Sequence, residues 1–292
     1  MPVGRVSGDV AATWRSPVLH CCLTGALLWC LSSAVNATQP VFDAHIHYSE
    51  DVWEALPPGK ALQKLGEAGI HRAVVSATPA EGAERLYRAD PARVVPFLRP
   101  YLSRAHRYTW HRDPAIPDWL RAQLGRIPYR GIGEFHVFGA DATSPVVQDT
   151  IDIARQRGLV LMAHTDPAGI AAILARAPDT DVIWAHAGFD VPLDELQALL
   201  EAYPRLWLEL SFREGIVEEG VLTPAWRRFL DAYADRCLAG TDTYTPGRWA
   251  DLAGLVEETR QWLAQLPDAQ ASRIAHDNAA RLFGQPVPPG TP

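Results

Sequence analysis

Val160-Leu161-Met162-Ala163-His164-Thr165-Asp166 is apolar up to its histidine and then turns polar, and Val182-Ile183-Trp184-Ala185-His186-Ala187-Gly188 repeats the pattern. Short apolar runs of this kind read as buried strands. They continue outward in both directions, giving candidate strands at 41–48, 71–78, 94–99, 129–138, 159–165, 181–188, 206–212 and 237–242. Amphipathic stretches lie between them: Leu193, Leu196, Leu199, Leu200 and Tyr203 recur at helical spacing, as do Leu252, Leu255, Val256, Thr259, Leu263 and Leu266. Pro192, Pro224 and Pro246 mark helix starts. Strand–helix alternation implies parallel pairing through right-handed crossovers. Eight strands in roughly 250 residues match a (β/α)8 TIM barrel; a doubly wound open sheet is the competing arrangement.

Polar residues at the strand ends carry the chemistry. In Val41-Phe42-Asp43-Ala44-His45-Ile46-His47-Tyr48 the two histidines are one residue apart, so in a strand both project to one face and can grip one metal ion. A lone pair of this kind is weak, but His164 and His186 end the fifth and sixth runs and Asp242 ends the eighth. On the fourth run, Tyr129-Arg130-Gly131-Ile132-Gly133-Glu134-Phe135-His136, the glycines permit close backbone approach. Glu134 and His136 share a face there. A carboxylate inside a barrel has to be paired or metal-bound, so Glu134 is either a ligand or the partner of an arginine such as Arg99. These nitrogen and oxygen donors suit Zn2+ or another divalent first-row ion. In a barrel all of them lie on the C-terminal face, where the loops after the strands build active sites. The long connection from Pro100 to about Pro117 belongs to that face.

The 292-residue chain has an ordinary composition and a formal charge of -7 without a basic tract, which argues against broad electrostatic binding to nucleic acid. Residues 1–37 read as a signal peptide: Arg5 and Arg15 precede an apolar run from about Pro17 to Ala34, and Val35-Asn36-Ala37 fits a cleavage site. Polar residues interrupt that run, so a permanent membrane span is disfavoured and the expected location is periplasmic or secreted. Cleavage would take the charge to -8 and remove Cys21, Cys22 and Cys30. That leaves Cys237 as a lone thiol with no intramolecular disulfide. The barrel is then expected over 38–284, with a proline- and glycine-rich tail at 285–292.

Taken as a set, these motifs resemble the amidohydrolase superfamily of metal-dependent barrels over the whole mature chain. His45 and His47 match its first-strand His-x-His pair, His164 and His186 the histidines of strands five and six, and Asp242 the strand-eight aspartate. The ending Ile274-Ala275-His276-Asp277-Asn278-Ala279-Ala280-Arg281-Leu282-Phe283-Gly284 is similar to the C-terminal helix of the amidohydrolase-2 branch, which includes aminocarboxymuconate semialdehyde decarboxylase and pyrone-dicarboxylate lactonases. Gly133-Glu134 resembles the metal-bridging glutamate of the TatD-type branch. Many dinuclear members bridge with a carboxylated lysine, but here the lysines are Lys60 and Lys64, both expected after strand one.

The resemblance implies one or two divalent ions, Zn2+ being favoured, held by His45, His47, Glu134, His164, His186 and Asp242. Asp242 is expected to orient a water and move its proton, with His186 as ligand, acid or oxyanion stabiliser. His136, Arg99 and Arg213 are expected substrate contacts, and Arg112 is a further candidate. The expected activity is hydrolysis of an amide, ester or lactone bond in a small molecule. A metal-dependent non-oxidative decarboxylase is the alternative, ahead of a silent binding protein or a nuclease. A small-molecule substrate is the expected partner, with membrane contact only through the signal peptide and homo-oligomerisation left open.

Overall fold

The computed structural model describes residues 39–284, so the expected signal peptide and tail lie outside the described residues. The strands are β1 (Val41–His47), β2 (Ile70–Ser76), β3 (Val94–Leu98), β4 (Gly131–His136), β5 (Val160–His164), β6 (Val182–Trp184), β7 (Leu206–Glu209), a short hairpin of β8 (Val217–Glu218) and β9 (Val221–Leu222), and β10 (Cys237–Leu238). All but the hairpin form one parallel sheet in the order β1-β2-β3-β4-β5-β6-β7-β10. Its ends meet: the Ala44 N–H donates to the Ala239 carbonyl at 2.9 Å and the His47 N–H to the Thr243 carbonyl at 2.9 Å. The sheet is therefore a TIM barrel and not an open, doubly wound sheet.

Helices follow the strands as the periodicity predicts. Leu193–Ala202 buries Leu196 and Leu200, and Leu252–Leu263 buries Leu252, Val256 and Leu263, while Pro224 and Pro246 occupy first turns, where a missing N–H costs nothing. Both lysines sit on the helix Pro58–Glu67 after β1. No helix among the described residues is long and apolar enough to cross a membrane.

Alternate strand residues Val95 and Phe97, and Val160 and Met162, join Phe42, Val74, Ile183 and Leu238 in one buried cluster, the filling of the barrel. Ala279, Ala280 and Phe283 of the C-terminal segment complete that cluster, with Phe283 packing its ring on Phe42 and Phe97. The segment is pinned by the Asn278 side-chain amide, which donates to the carbonyls of Ala234 and Cys237. One end of the barrel is thus stoppered, and chemistry is left to the other. Cys237 is buried, and burial pushes its thiol pKa up, as befits an inert structural cysteine.

Two strands break the two-residue period. On β1, Asp43 pairs with Ala73 but Ile46 with Val75; on β4, Gly133 pairs with Met162 but Phe135 with Ala163. Each carries one extra residue, a bulge that shifts which side chains face inward. Phe42 and Ala44 fill the barrel, and the shift then turns His45 and His47 inward too, while Ile46 joins the outer core. On β4, Ile132 and Phe135 face the helices, three residues apart, so Glu134 and His136 are left for the interior. Gly131 makes room below them: a Cβ there would overlap the Phe97 ring.

Candidate metal centre

The two bulges and the ends of β5, β6 and β10 bring six side chains to one point. His45 Nε2 and His47 Nε2 are 3.1 Å apart and lie 3.4 and 3.1 Å from Asp242 Oδ1. Glu134 presents one oxygen to each side of the cluster. Its Oε2 faces His47 Nε2 at 3.4 Å and His45 Nε2 at 3.7 Å, and its Oε1 faces His164 Nδ1 at 2.8 Å and His186 Nε2 at 3.6 Å. Three overlapping sets have donor atoms close enough to share an ion: His45, His47 and Glu134; His45, His186 and Asp242; and Glu134, His164 and His186.

The strand-end residues leave extended geometry to get there. His186 (φ 59°) and Asp242 (φ 43°) have positive φ, as do Phe189 and Phe212 at the rim. Side chains other than glycine are held in that region only where surrounding structure imposes it, typically at functional sites. For this reason the expected strands 181–188, 206–212 and 237–242 are shorter in the structure, which ends them at Trp184, Glu209 and Leu238.

Hydrogen bonds behind the cluster set the imidazole tautomers. His186 Nδ1 lies 2.9 Å from the Ser211 carbonyl, which only accepts, so Nδ1 carries the proton and the Nε2 lone pair points inward. His45 Nδ1 donates to Glu209 Oε2 at 2.9 Å, freeing its Nε2 in the same way. His47 Nδ1 is 2.7 Å from Ser76 Oγ. Glu209 is fully buried on β7 and also accepts from the His186 and Ser211 backbone N–H groups and the Ser211 hydroxyl. Gly240 gives it space, since a Cβ there would overlap its carboxylate. Carboxylate-oriented histidines of this kind are how proteins fix metal ligands. The sequence reading missed Glu209; a lone acid ending the apolar run Leu206-Trp207-Leu208 is the signal that marks it.

Charge balance tests whether an ion fits. Glu134, Glu209 and Asp242 are buried carboxylates, and Arg99 is the buried guanidinium beside them, 3.1 Å from Glu134 Oε2. Two negative charges remain, and each unbalanced buried charge costs several kcal/mol. In the metal-free protein this surplus of negative charge favours protonation of His45 and His186. Burial alone would lower the pKa of His45, but Asp242, Glu209 and Glu134 outweigh it and hold it well above the ordinary value; His186 is raised against burial by Glu134 and Glu209. Against the opposing effect of burial, the surrounding histidines hold Glu134 well below the usual carboxylate range, and His45 and His47 do the same for Asp242. Asp242 Oδ1 is buried without a hydrogen-bond partner. An orphaned carboxylate oxygen, inward lone pairs and two uncompensated negative charges together fit a divalent cation.

A cavity of about 410 Å3 opens over the cluster, with Arg107, His136, Phe189, Phe212 and Tyr244 around its mouth. The arginines expected there divide. Arg99 is at the site but is committed to Glu134, donating to its carboxylate and, from Nε, to its backbone carbonyl. Arg213 is not brought to the cavity: it donates to the carbonyls of Phe189 and Val191 and lies over the Trp226 ring, tying two loops together. Arg112 is exposed and pairs with Asp141. Arg107, from the loop after β3, is the guanidinium that does reach the cavity.

The family model for an amidohydrolase, Amidohydro_2, matches residues 42–285. No curated protein matches. Solved structures with the same architecture include a putative 2-pyrone-4,6-dicarboxylic acid hydrolase from Pseudomonas putida, 18% identical, with TM-score 0.58 over 84% of this chain and 98% of that one. An amidohydrolase from Burkholderia multivorans with bound zinc is 18% identical, with TM-score 0.54 over 85% and 100%. A 2,6-dihydroxybenzoate decarboxylase complexed with 2,6-dihydroxybenzoate is 15% identical, with TM-score 0.53 over 84% and 99%. At such identities the likeness is one of fold.

Proposed function

We propose that this chain, which belongs to the amidohydrolase family whose model it matches over residues 42–285, is a metal-dependent hydrolase that cleaves an amide, ester or lactone bond of a small molecule. The observation that carries the reading is the convergence of His45, His47 and His186 on Asp242, whose buried Oδ1 accepts no hydrogen bond, with Glu134 facing the same histidines. A divalent ion held there supplies a Lewis acid and lowers the pKa of a bound water toward about 7. Asp242, beside that position, would orient the attacking water, take up its proton and return it to the leaving group. His45 and His186 hold their lone pairs inward because Glu209 and the Ser211 carbonyl accept from the opposite ring nitrogens, and Ser76 holds the His47 ring in place through Nδ1.

Zinc is the ion we favour, on the histidine-rich donor set and on the zinc bound by the Burkholderia multivorans amidohydrolase of the same fold. We favour a site that would hold two ions, with Glu134 contributing to both, because its two oxygens face different histidine pairs. Glu134→Gln is then expected to lower bound zinc from about two per chain toward one, a neutral amide being a poor bridge between cations. Wild-type protein that holds one ion per chain in excess zinc decides for a mononuclear site.

The reaction class is tested by screening zinc-loaded protein against lactones, esters and acylated amino acids in 18O-labelled water. Incorporation of label into the product acid is the expected result. Release of carbon dioxide without label uptake transfers the chain to the decarboxylase reading.

A further inference from the structure

We propose that His136 is a hydrogen-bond donor to the substrate, fixed by Tyr101 as the neutral Nε2–H tautomer; the inference rests on reading the cavity over the metal centre as the substrate site. Tyr101 follows β3 and is buried, and its hydroxyl meets His136 twice. It accepts from the His136 backbone N–H at 2.6 Å and lies 2.8 Å from His136 Nδ1. A phenol has one proton to give. No other acceptor for it is present among the described residues, so it goes to Nδ1; were Nδ1 itself the donor, the phenolic proton would be buried without a partner. Nδ1 is therefore the acceptor, and the ring proton sits on Nε2.

Other contacts hold the ring still. The Trp110 indole N–H donates to the His136 carbonyl at 2.7 Å. The His136 ring stacks on His164, with centroids 4.1 Å apart at 26°. His136 lines the cavity, and its Nε2 has no partner among the described residues, so the N–H is offered to whatever the cavity holds. A substrate must present an acceptor oxygen there; an ammonium group would meet a donor.

The chemistry follows. When the water oxygen bonds to the substrate carbonyl carbon, the π pair moves onto the carbonyl oxygen. The Nε2–H bond to that oxygen strengthens as charge develops, and the imidazole keeps its proton throughout. A donor fixed in advance costs no reorganisation at that moment, and such donors are worth about 10²–10³ in kcat. Tyr101 acts through His136 and is a positioning residue.

Long-range 1H–15N correlation spectra of metal-free protein labelled at histidine test the tautomer without any turnover. The His136 signal, assigned by its loss in His136→Phe, is expected to show a bare Nδ1 and a protonated Nε2, and Tyr101→Phe is expected to give a tautomer mixture. A protonated Nδ1 in the wild type overturns the proposal. Methylphosphonate, a tetrahedral oxyanion, is expected to move the Nε2 proton downfield in zinc-loaded protein; saturation without such movement also overturns it. With a substrate in hand, His136→Phe should lower kcat by about 10²-fold or more, with zinc content unchanged, and His136→Gln, which keeps a neutral donor, should recover most of the loss. Wild-type kcat in His136→Phe refutes the role. Carbon dioxide release in place of hydrolysis would sink the hydrolase reading while leaving the tautomer result standing.

Discussion

If the proposed centre holds zinc, His45→Ala combined with His47→Ala is expected to give a folded protein that no longer retains the ion through gel filtration and has lost about 10³-fold of its activity. Both imidazoles face the interior only because of the bulge on β1, and both lone pairs meet at Asp242 Oδ1. Their removal takes from Asp242 the two imidazoles that hold it ionised and dismantles the His45–His47–Glu134 and His45–His186–Asp242 ligand sets; what remains, Glu134 with His164 and His186, is a three-donor set expected to hold an ion too weakly to survive gel filtration. The barrel persists because its filling lies below, in Phe42, Phe97, Met162 and Phe283. Elemental analysis and far-ultraviolet circular dichroism check the two halves of the claim; stoichiometric zinc in the double variant ends the metal-centre reading. The pH dependence has a definite sign. His45 and His186 have raised pKa values in the metal-free protein, so an entering ion must displace their protons, and zinc affinity should fall as pH drops through and below that raised range.

Asp242→Asn is expected to lower kcat by about 10³-fold while the protein still binds zinc, because an amide cannot take a proton from water. The substitution isolates chemistry from backbone strain: Asp242 sits at φ 43°, a conformation that asparagine tolerates about as well as aspartate. Steady-state kinetics with parallel metal analysis make the test. A kcat within tenfold of wild type, at full zinc content, removes Asp242 from the proton path.

The barrel was readable because each strand is a short apolar run and each intervening stretch repeats at helical spacing. The ligands were readable because a histidine or acid ends several of those runs. What escaped the pattern has physical causes. The bulges on β1 and β4 insert one residue each, and a two-residue period cannot announce where it breaks; by simple alternation Glu134, next to inward-facing Gly133, would point away from the site. Glu209 was passed over because its work is done from behind His45, through a contact 164 residues distant in sequence. Arg213 and Arg99 follow strands as expected, but the carbonyls of Phe189 and Val191 claim the first and Glu134 the second. Composition does not reveal where a guanidinium finds its acceptors.

The seam between β1 and β10 has a consequence for how the molecule comes into being. Asp43 accepts from the Thr241 N–H and hydroxyl across 198 residues of chain, and His47 hydrogen-bonds to Thr243 beside it. A nascent chain emerging from the ribosome can stack seven strands in order, yet β1 keeps a bare edge until residue 243 has been made. Contacts this remote in sequence carry the largest loop-closure cost and form late. His45 and His47 lie on one lip of that seam and Asp242 on the other. Capture of an ion by all three would clasp the first strand to the last, so the moment the enzyme becomes competent is also the moment its exposed edge disappears.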